Sequence, residues 1–364
     1  MLNSNYLSEV SRSIRQLCVE FSRKTITYLL DDFSLPKVPA SVQRTLLPLI
    51  WNSGGGYSFR VSAHSESVVS EDLRQNRYQV NREYREINLG ANYLNSIDVN
   101  RNETAIENSV GDIFARRFAA SRRLTDLTLP DILGSDYEGK IAGEIRTRTE
   151  NKTLRGLRYY GRNTLIKLCS GDISYLIDML GQMLRNSKEL PISIETQHKV
   201  IKQYAWRVLY RLNDNPAKTC NLYQVALNFG RLSLFKLRGK MVATGQSSQR
   251  PAEYLRIEVS LGRDTDVEIA QPIIAELLQS GIFIDGGFSN SSQQNPARRL
   301  LFRKIFTPAF PTTYNSRDTF SMTAKNFADF AKAPERFLRA QMGEEGVRPE
   351  DQQSMMDALI DRAV

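Results

Sequence analysis

Apolar residues near the start of the chain recur every three to four positions, at Tyr6, Leu7, Val10, Ile14, Leu17, Cys18 and Phe21. That period predicts one amphipathic helix over 5–23. The next apolar run, TITYLL, is continuous, β-branched and aromatic, as a central strand of a parallel sheet should be. It ends in two adjacent carboxylates, Asp31 and Asp32, which repel each other and need water, a cation or helix-end dipoles around them. Pro36 and Pro39 break the chain, VQRTLLPLIWN predicts a helix over 40–51, the glycines of SGGG end it, and YSFRVSAHS (57–65) predicts a second strand. Strand, helix and strand with short connections make a βαβ unit and therefore a parallel sheet.

The pattern then loosens. Residues 66–86 are charged and fit a helix or an ordered loop, with a short strand at 86–89. The polar, Asn-rich stretch 95–115 reads as a loop or linker that runs into a basic helix, VGDIFARRFAASRRL (110–124), and LPDILG marks a turn. Helical spacing returns from 158 to 185, broken at CSGD, and again in ETQHKVIKQYAWRVLYRLND (195–214). CNLYQVALNFGRLSLFKL (220–237) predicts two short helices. A strand at 252–260, a helix over 266–281 and two strands, GIFID and RRLLFRKIFTPAF, around the loop GGFSNSSQQN complete the pattern. Helices followed by two strands around a polar loop is the order of a winged-helix domain. Past residue 320 come FADFAKAPERFLRAQM, a more acidic stretch EEGVRPEDQQ, and a last short helix.

Composition narrows the function classes. A chain of 364 residues has room for two or three domains, and 41% apolar with 24% charged residues excludes global disorder. The 49 Lys and Arg against 40 Asp and Glu leave a net charge of +9 and a pI near 9.4, which favours polyanionic partners such as nucleic acid. The three cysteines (Cys18, Cys169, Cys220) and two histidines (His64, His198) form no CxxC or HxxxH pair. That excludes a structural zinc site or disulfide framework and fits a reducing cytoplasm. Cys169 reads as a small core residue. No uncharged apolar stretch approaches the roughly 18–20 residues a bilayer span needs, so a cytoplasmic protein without a membrane partner is expected. His198 sits beside Lys199 in a predicted helix with no serine–acid arrangement near it, so a Ser/His/Asp triad has no support. Trp206, Leu209 and Tyr210, at helical spacing, read as core.

A hydrophobic strand ending in two acids, beside a strand ending in small polar residues, resembles Walker B and sensor 1 of P-loop ATPases. IKLCSGDISYLIDMLGQML (166–184) resembles the lid helix of AAA+ ATPases of the origin-recognition (ORC/CDC-type) branch, where a small-Gly-Asp turn opens a helix. LLQSGIFID and RRLLFRKIFTPAF resemble the C-terminal part of bacterial ORC-like ATPases. The resemblance covers roughly residues 5–315. It implies an α/β partial AAA+ (P-loop NTPase-like) core followed by an α-helical lid and a winged-helix domain. The expected layout is 1–95 for the partial core, 96–190 for linker and lid, 191–315 for the winged helix and 316–364 for a tail. It also implies ATP and Mg2+ as cofactors. Asp31 would orient the metal, Asp32 would hold the attacking water, and a residue of the SAHS tip would take the sensor role: Ser62, with Ser65 and His64 as alternatives.

Three departures qualify it. GxxxxGK[ST] occurs nowhere, and SGGGYSFR has neither the lysine nor the hydroxyl in place. In the family, Walker A precedes Walker B by a helix and a strand, so this chain is expected to be a truncated or split ATPase. Its phosphate loop would come from another segment or protein, and the missing strands would leave sheet edges open. The usual sensor 2 arginine position, two after Asp172, is Ser174, with Arg155 and Arg162 as substitutes. Asp32 is shorter than the usual glutamate.

The basic segments point to DNA or to a solvated surface. Residues 143–168 hold seven Lys and Arg against two Glu, a local net of +5. Arg116, Arg117, Arg122 and Arg123 read as a phosphate-contacting face, an arginine finger toward a neighbouring subunit, or a solvated face. Arg298, Arg299, Arg303 and Lys304 fall on the expected wing, where backbone contacts need only charge and reach. The recognition helix would be 222–237, with Arg231, Lys236 and Arg238. Tyr159 and Tyr160, beside arginines, fit base stacking or core packing. DNA, a complementing ATPase segment or protein, and an oligomer are thus the expected partners. A nucleotide-independent DNA-binding module and an interaction subunit whose open sheet docks a partner are the competing expectations.

Overall fold

Strands β1 (Ile26–Leu30) and β2 (Tyr57–Val61) run side by side in parallel, from Ile26 opposite Tyr57 to Leu30 opposite Val61. Helix α2 (Ala40–Trp51) connects them, as the βαβ pattern predicts, and carries Pro48 within it. These coordinates are a computed structural model. It describes residues 4–34, 37–51, 57–63, 68, 103–121, 124–136, 158–170, 172–215, 217–238, 253–262, 264–289, 297–310, 312–314 and 318–342. The chain divides into two compact units, residues 1–88 and 89–364.

In the first unit, helix α1 (Ser4–Leu17) precedes a short 3-10 turn at Val19–Phe21. The hydroxyls of Ser11 and Tyr28 bond at 3.1 Å, tying α1 to β1, and the Tyr28 ring stacks on Phe59 of β2. Among the described residues, Phe33, Leu47 and Ile50 are buried at its core, with Leu30, Val38, Leu46, Trp51 and Phe59 packed around them. β1 is not the doubly buried strand its sequence predicts. It alternates, and Leu29 is 74% exposed. With only β2 beside it among the described residues, one face of β1 has nothing to cover it.

The second unit holds one continuous core running from Val110 to Ala331. Helices α3 (Glu103–Ala119) and α4 (Leu129–Leu133) come first. The expected linker over 95–115 is thus helical from Glu103. LPDILG is a helical turn, closed by Thr128 and Asp131 in a reciprocal capping box. Hydrogen bonds to Thr128 hold the Asp131 carboxyl below its ordinary pKa. Helices α5 (Arg162–Cys169), α6 (Ile173–Asn186) and α7 (Ile194–Tyr210) follow the predicted spacing.

α8 (Leu222–Arg238) is one helix, not two. Its interior glycine is a notch rather than a break: a Cβ at Gly230 would lie 2.2 Å from the Phe310 ring. Strand β3 (Tyr254–Ser260), helix α9 (Asp264–Gln279), and strands β4 (Phe283–Ser289) and β5 (Ala297–Phe302) match their patterns. KIFTPA, expected to extend the last strand, is instead a buried 3-10 turn over Lys304–Ala309.

Residues past 316 are more than a tail. Strand β6 (Asp318–Thr323) pairs in parallel with β3, giving the sheet order β4-β5-β3-β6. Helices α10 (Ala324–Lys332) and α11 (Pro334–Met342) pack on α9 and α8. The boundaries expected at 190 and 315 therefore fall inside one core.

Candidate functional site

The parallel register of β1 and β2 decides what meets at their carboxyl ends. Leu30 lies opposite Val61, so the next residues, Asp31 and Ser62, arrive side by side. The ladder continues through Ser62 N–H donating to Leu30 O (2.9 Å) and Phe33 N–H donating to Ser62 O (2.8 Å). The Ser62 hydroxyl donates to Asp31 Oδ1 at 2.5 Å and accepts the Asp32 N–H at 2.8 Å. Asp32 turns left-handed, at φ 55°, a conformation aspartate tolerates better than most residues. That turn sends its carboxylate to Lys37, with which it forms an ion pair. The hydrogen bond and charge of Asp32 raise the Lys37 pKa.

Asp31, Asp32 and Ser62, separated by 31 positions in the chain, thus come together. Ser65 and His64 lie outside the described residues, as do Arg122, Arg123 and Arg155. Sequence reasoning missed Lys37, whose only signal was a cation five residues after Asp32. Asp31 and Ser62 are hard oxygen donors, the type magnesium takes through one or two carboxylates, water and phosphate. Among the described residues, no group of three or more His, Cys, Asp or Glu converges.

In the second unit, the small-Gly-Asp turn is built as its pattern predicts. Ser170 is left-handed at φ 50°, and Asp172 caps α6 by accepting the Ser174 N–H at 3.1 Å. Ser174, standing where an arginine was sought, also bonds Asp172 with its hydroxyl. The arginine near this helix start is instead Arg303: its guanidinium lies 3.5 Å from Asp172 Oδ2, 3.3 Å from the Tyr175 hydroxyl, and over the Tyr175 ring.

The expected DNA-contact residues are placed differently from a basic wing. Arg298 makes a buried ion pair with Asp285 at 2.5 Å and lies over the Phe288 ring. Arg299 pairs with Glu258 across β5 and β3 at 2.7 Å. Arg303 is held by Asp172 and Tyr175, and Lys304 is buried. These four charges serve the sheet and its neighbours. The helix expected for recognition, 222–237, lies within α8, where Leu222, Val225, Ala226, Leu227, Phe229 and Leu232 are buried. Arg231 is partly buried and partnered, Lys236 lies 6.0 Å from the Phe235 ring, and Arg238 ends the helix.

Tyr159 is a core residue, 1% exposed, whose hydroxyl donates to Thr312 O at 2.7 Å. Its N–H donates to His198 Nδ1 at 3.0 Å, and the two rings stack. Burial, then the charges of Lys202 and Arg158, push the His198 pKa down to about 4. Cys169 is buried as expected, and burial raises its thiol pKa. Beside this cluster, Gln197 accepts from Gly161 N–H (2.9 Å) and donates to Leu133 O and Ile192 O (2.8 and 2.7 Å).

Compared with known proteins, residues 135–322 match a family model described as ORC-CDC6-like, a stretch just over half of the 364 residues. It lies wholly in the second unit, whereas Asp31, Asp32 and Ser62 belong to the first. No curated protein and no solved structure matches the chain. Among the described residues, no helix is long and apolar enough to cross a membrane.

Proposed function

From the premise that this chain belongs to the ORC-CDC6-like family, we propose that it is the partner-dependent part of an AAA+ ATPase, coupling nucleotide state to DNA or protein binding. The observation that carries this reading is the convergence of Asp31, Asp32 and Ser62 at the carboxyl ends of two parallel strands. Asp31 would hold magnesium through water, with Ser62 fixing its carboxylate. Asp32 would orient the attacking water once Lys37 releases it. The metal would supply charge neutralisation at the phosphates. The phosphate loop would come from a segment or polypeptide outside these residues, since GxxxxGK[ST] is absent from them. Residues 158–186 would serve as the lid, and β3–β5 with their helices as the winged-helix part. The bacterial origin and cytoplasmic location inferred from the sequence belong to the same reading.

The experiment pairs a fluorescent ATP analogue and magnesium with the lone chain, its Asp31→Ala variant, and the assembly that co-purifies with the chain from its native cell. The lone chain should bind weakly or not at all. The assembly should hydrolyse ATP and lose that activity with Asp31→Ala. Hydrolysis that survives Asp31→Ala sinks the proposal, and tight binding by the lone chain removes the need for a supplied loop.

One observation favours a second reading, an interaction subunit without catalysis. Leu17, Val19 and Leu29 of the first unit are 83%, 84% and 74% exposed, and its described strands form a two-stranded sheet. Such a sheet is marginal in water by itself. A stable assembly that does not hydrolyse ATP would support this second reading. DNA binding independent of nucleotide has less support, because Arg298, Arg299, Arg303 and Lys304 are engaged within the fold.

A further inference from the structure

One flank of α7 gathers hydrogen-bond donors without acceptors to match them. His198, Lys202 and Trp206 recur at four-residue steps, which places them along one side of the helix. Trp206 is 7% exposed, and its indole Nε1–H is buried with no acceptor. Lys202 is partly buried, with no carboxylate partner among the described residues, and burial alone lowers its pKa. His198 uses Nδ1 to accept the Tyr159 N–H, so the neutral ring carries its proton on Nε2. No protein acceptor meets that proton among the described residues.

Residues from two other segments border this flank. Tyr159, stacked on His198, bonds Thr312 O, and Phe310 lies 6.0 Å from Trp206. Thr312 Oγ1 is also buried without a partner. Arg158, next in sequence to Tyr159, adds a cation that His198 feels. Arg158 pairs with Glu195 at 3.2 Å, and Glu195 is 77% exposed, where its charge is well solvated. Lys304, on the turn packed against α7, is buried and has its own partners.

Lys202, Arg158 and the His198 N–H thus bring positive charge and donors to one flank, beside a buried indole N–H that has no acceptor, and such a flank favours a group that supplies negative charge and lone pairs. A tetrahedral oxyanion supplies both. We propose that this flank is an anion site taking one phosphate group through Lys202, His198 and Arg158. Its phosphate belongs to a nucleotide or to a nucleic-acid backbone. The site is separate in sequence from Asp31 and Asp32 and does not rest on the ATPase reading.

The chain has two histidines, so the His198 Cε1–H resonance is easily followed by NMR. Inorganic phosphate should shift it saturably, leave His64 unmoved, and raise the His198 pKa from about 4, because a nearby anion favours the protonated ring. Lys202→Met should weaken phosphate binding by roughly tenfold or more, and in phosphate-free buffer it should raise Tm. Lys202→Arg should keep the response. Arg158→Gln, at an exposed position, gives an independent test if Lys202→Met does not fold, and should weaken binding as well.

Adenosine monophosphate acting below the phosphate concentration makes a nucleotide the source. A short DNA duplex whose effect fades with salt makes the backbone the source. Either supports the site. A His198 resonance unmoved by all three probes in protein that still melts cooperatively overturns it, because the donors are then satisfied by water. A shift that is unchanged in Lys202→Met overturns it too.

Discussion

The two units solve the same packing problem with different resources. In the second, Phe229 meets Phe283, Phe302 and Phe330 edge-on, Gln197 closes three backbone hydrogen bonds, and Arg298 pairs with Asp285 beneath the surface. In the first, Phe33, Leu47 and Ile50 make up the buried centre, while Leu17, Val19 and Leu29 face water. The second unit carries one continuous hydrophobic core. Among its described residues, the first has a strand with an exposed apolar face and a sheet of two strands, features that a covering partner would complete. The candidate acid pair sits on this first unit.

The largest expected effect tests the core of the second unit. Phe229→Ala should cost about 3–5 kcal/mol, read from denaturant unfolding. A much smaller loss would mean that the aromatic cluster is less central than the contrast requires. Next comes the ion pair. Arg298→Met alone should cost on the order of 3 kcal/mol, because it leaves Asp285 charged and buried. Arg298→Met with Asp285→Leu should recover most of that loss. A double variant as unstable as the single one would show that the pair itself, not the orphaned carboxylate, is what matters.

Acid should weaken the second unit through His198. Its folded pKa, about 4, lies below the unfolded value of about 6.5, so the unfolded chain binds more protons between the two. Stability is therefore fully present above about pH 6.5 and falls as pH drops toward 4, by on the order of 2 kcal/mol once partial exposure is allowed for. His198→Asn should flatten that arm in a series of thermal melts, and an unchanged slope would place the acid sensitivity elsewhere.

The smallest stability effect should come from the first unit's open face. Leu29→Ser should change stability by within about 0.5 kcal/mol while weakening any assembly the chain forms, measured by light scattering. A large loss of stability would show that Leu29 is packed within the unit.

The sequence made the local elements legible. The period of α1, α6 and α7, the βαβ order around Asp31, and the Ser-Gly-Asp turn before α6 all follow from short-range pattern. The convergence of Asp31 with Ser62 was also legible, because a parallel register carries two strand ends to one place. Other features were out of reach. Gly230 resembles a helix interruption until Phe310, from 80 positions away, occupies its empty face. Strand β6 has no neighbour in the chain that announces its pairing with β3.

Charge shows the limit most clearly. Arg298, Arg299, Arg303 and Lys304 form a basic run, and a run of charges in sequence looks like a surface for DNA. Alternation along β5 and the turn after it sends each side chain to a different environment, where Asp285, Glu258 and Asp172 wait on other elements. Sequence alone determined which residues are charged, which stretches are helical and where two acids end a strand. Tertiary structure alone decided which charges meet a partner within the fold and which, like Lys202, meet none among the described residues. Pairing depends on what the fold brings within a few ångströms, and spacing along the chain does not encode that.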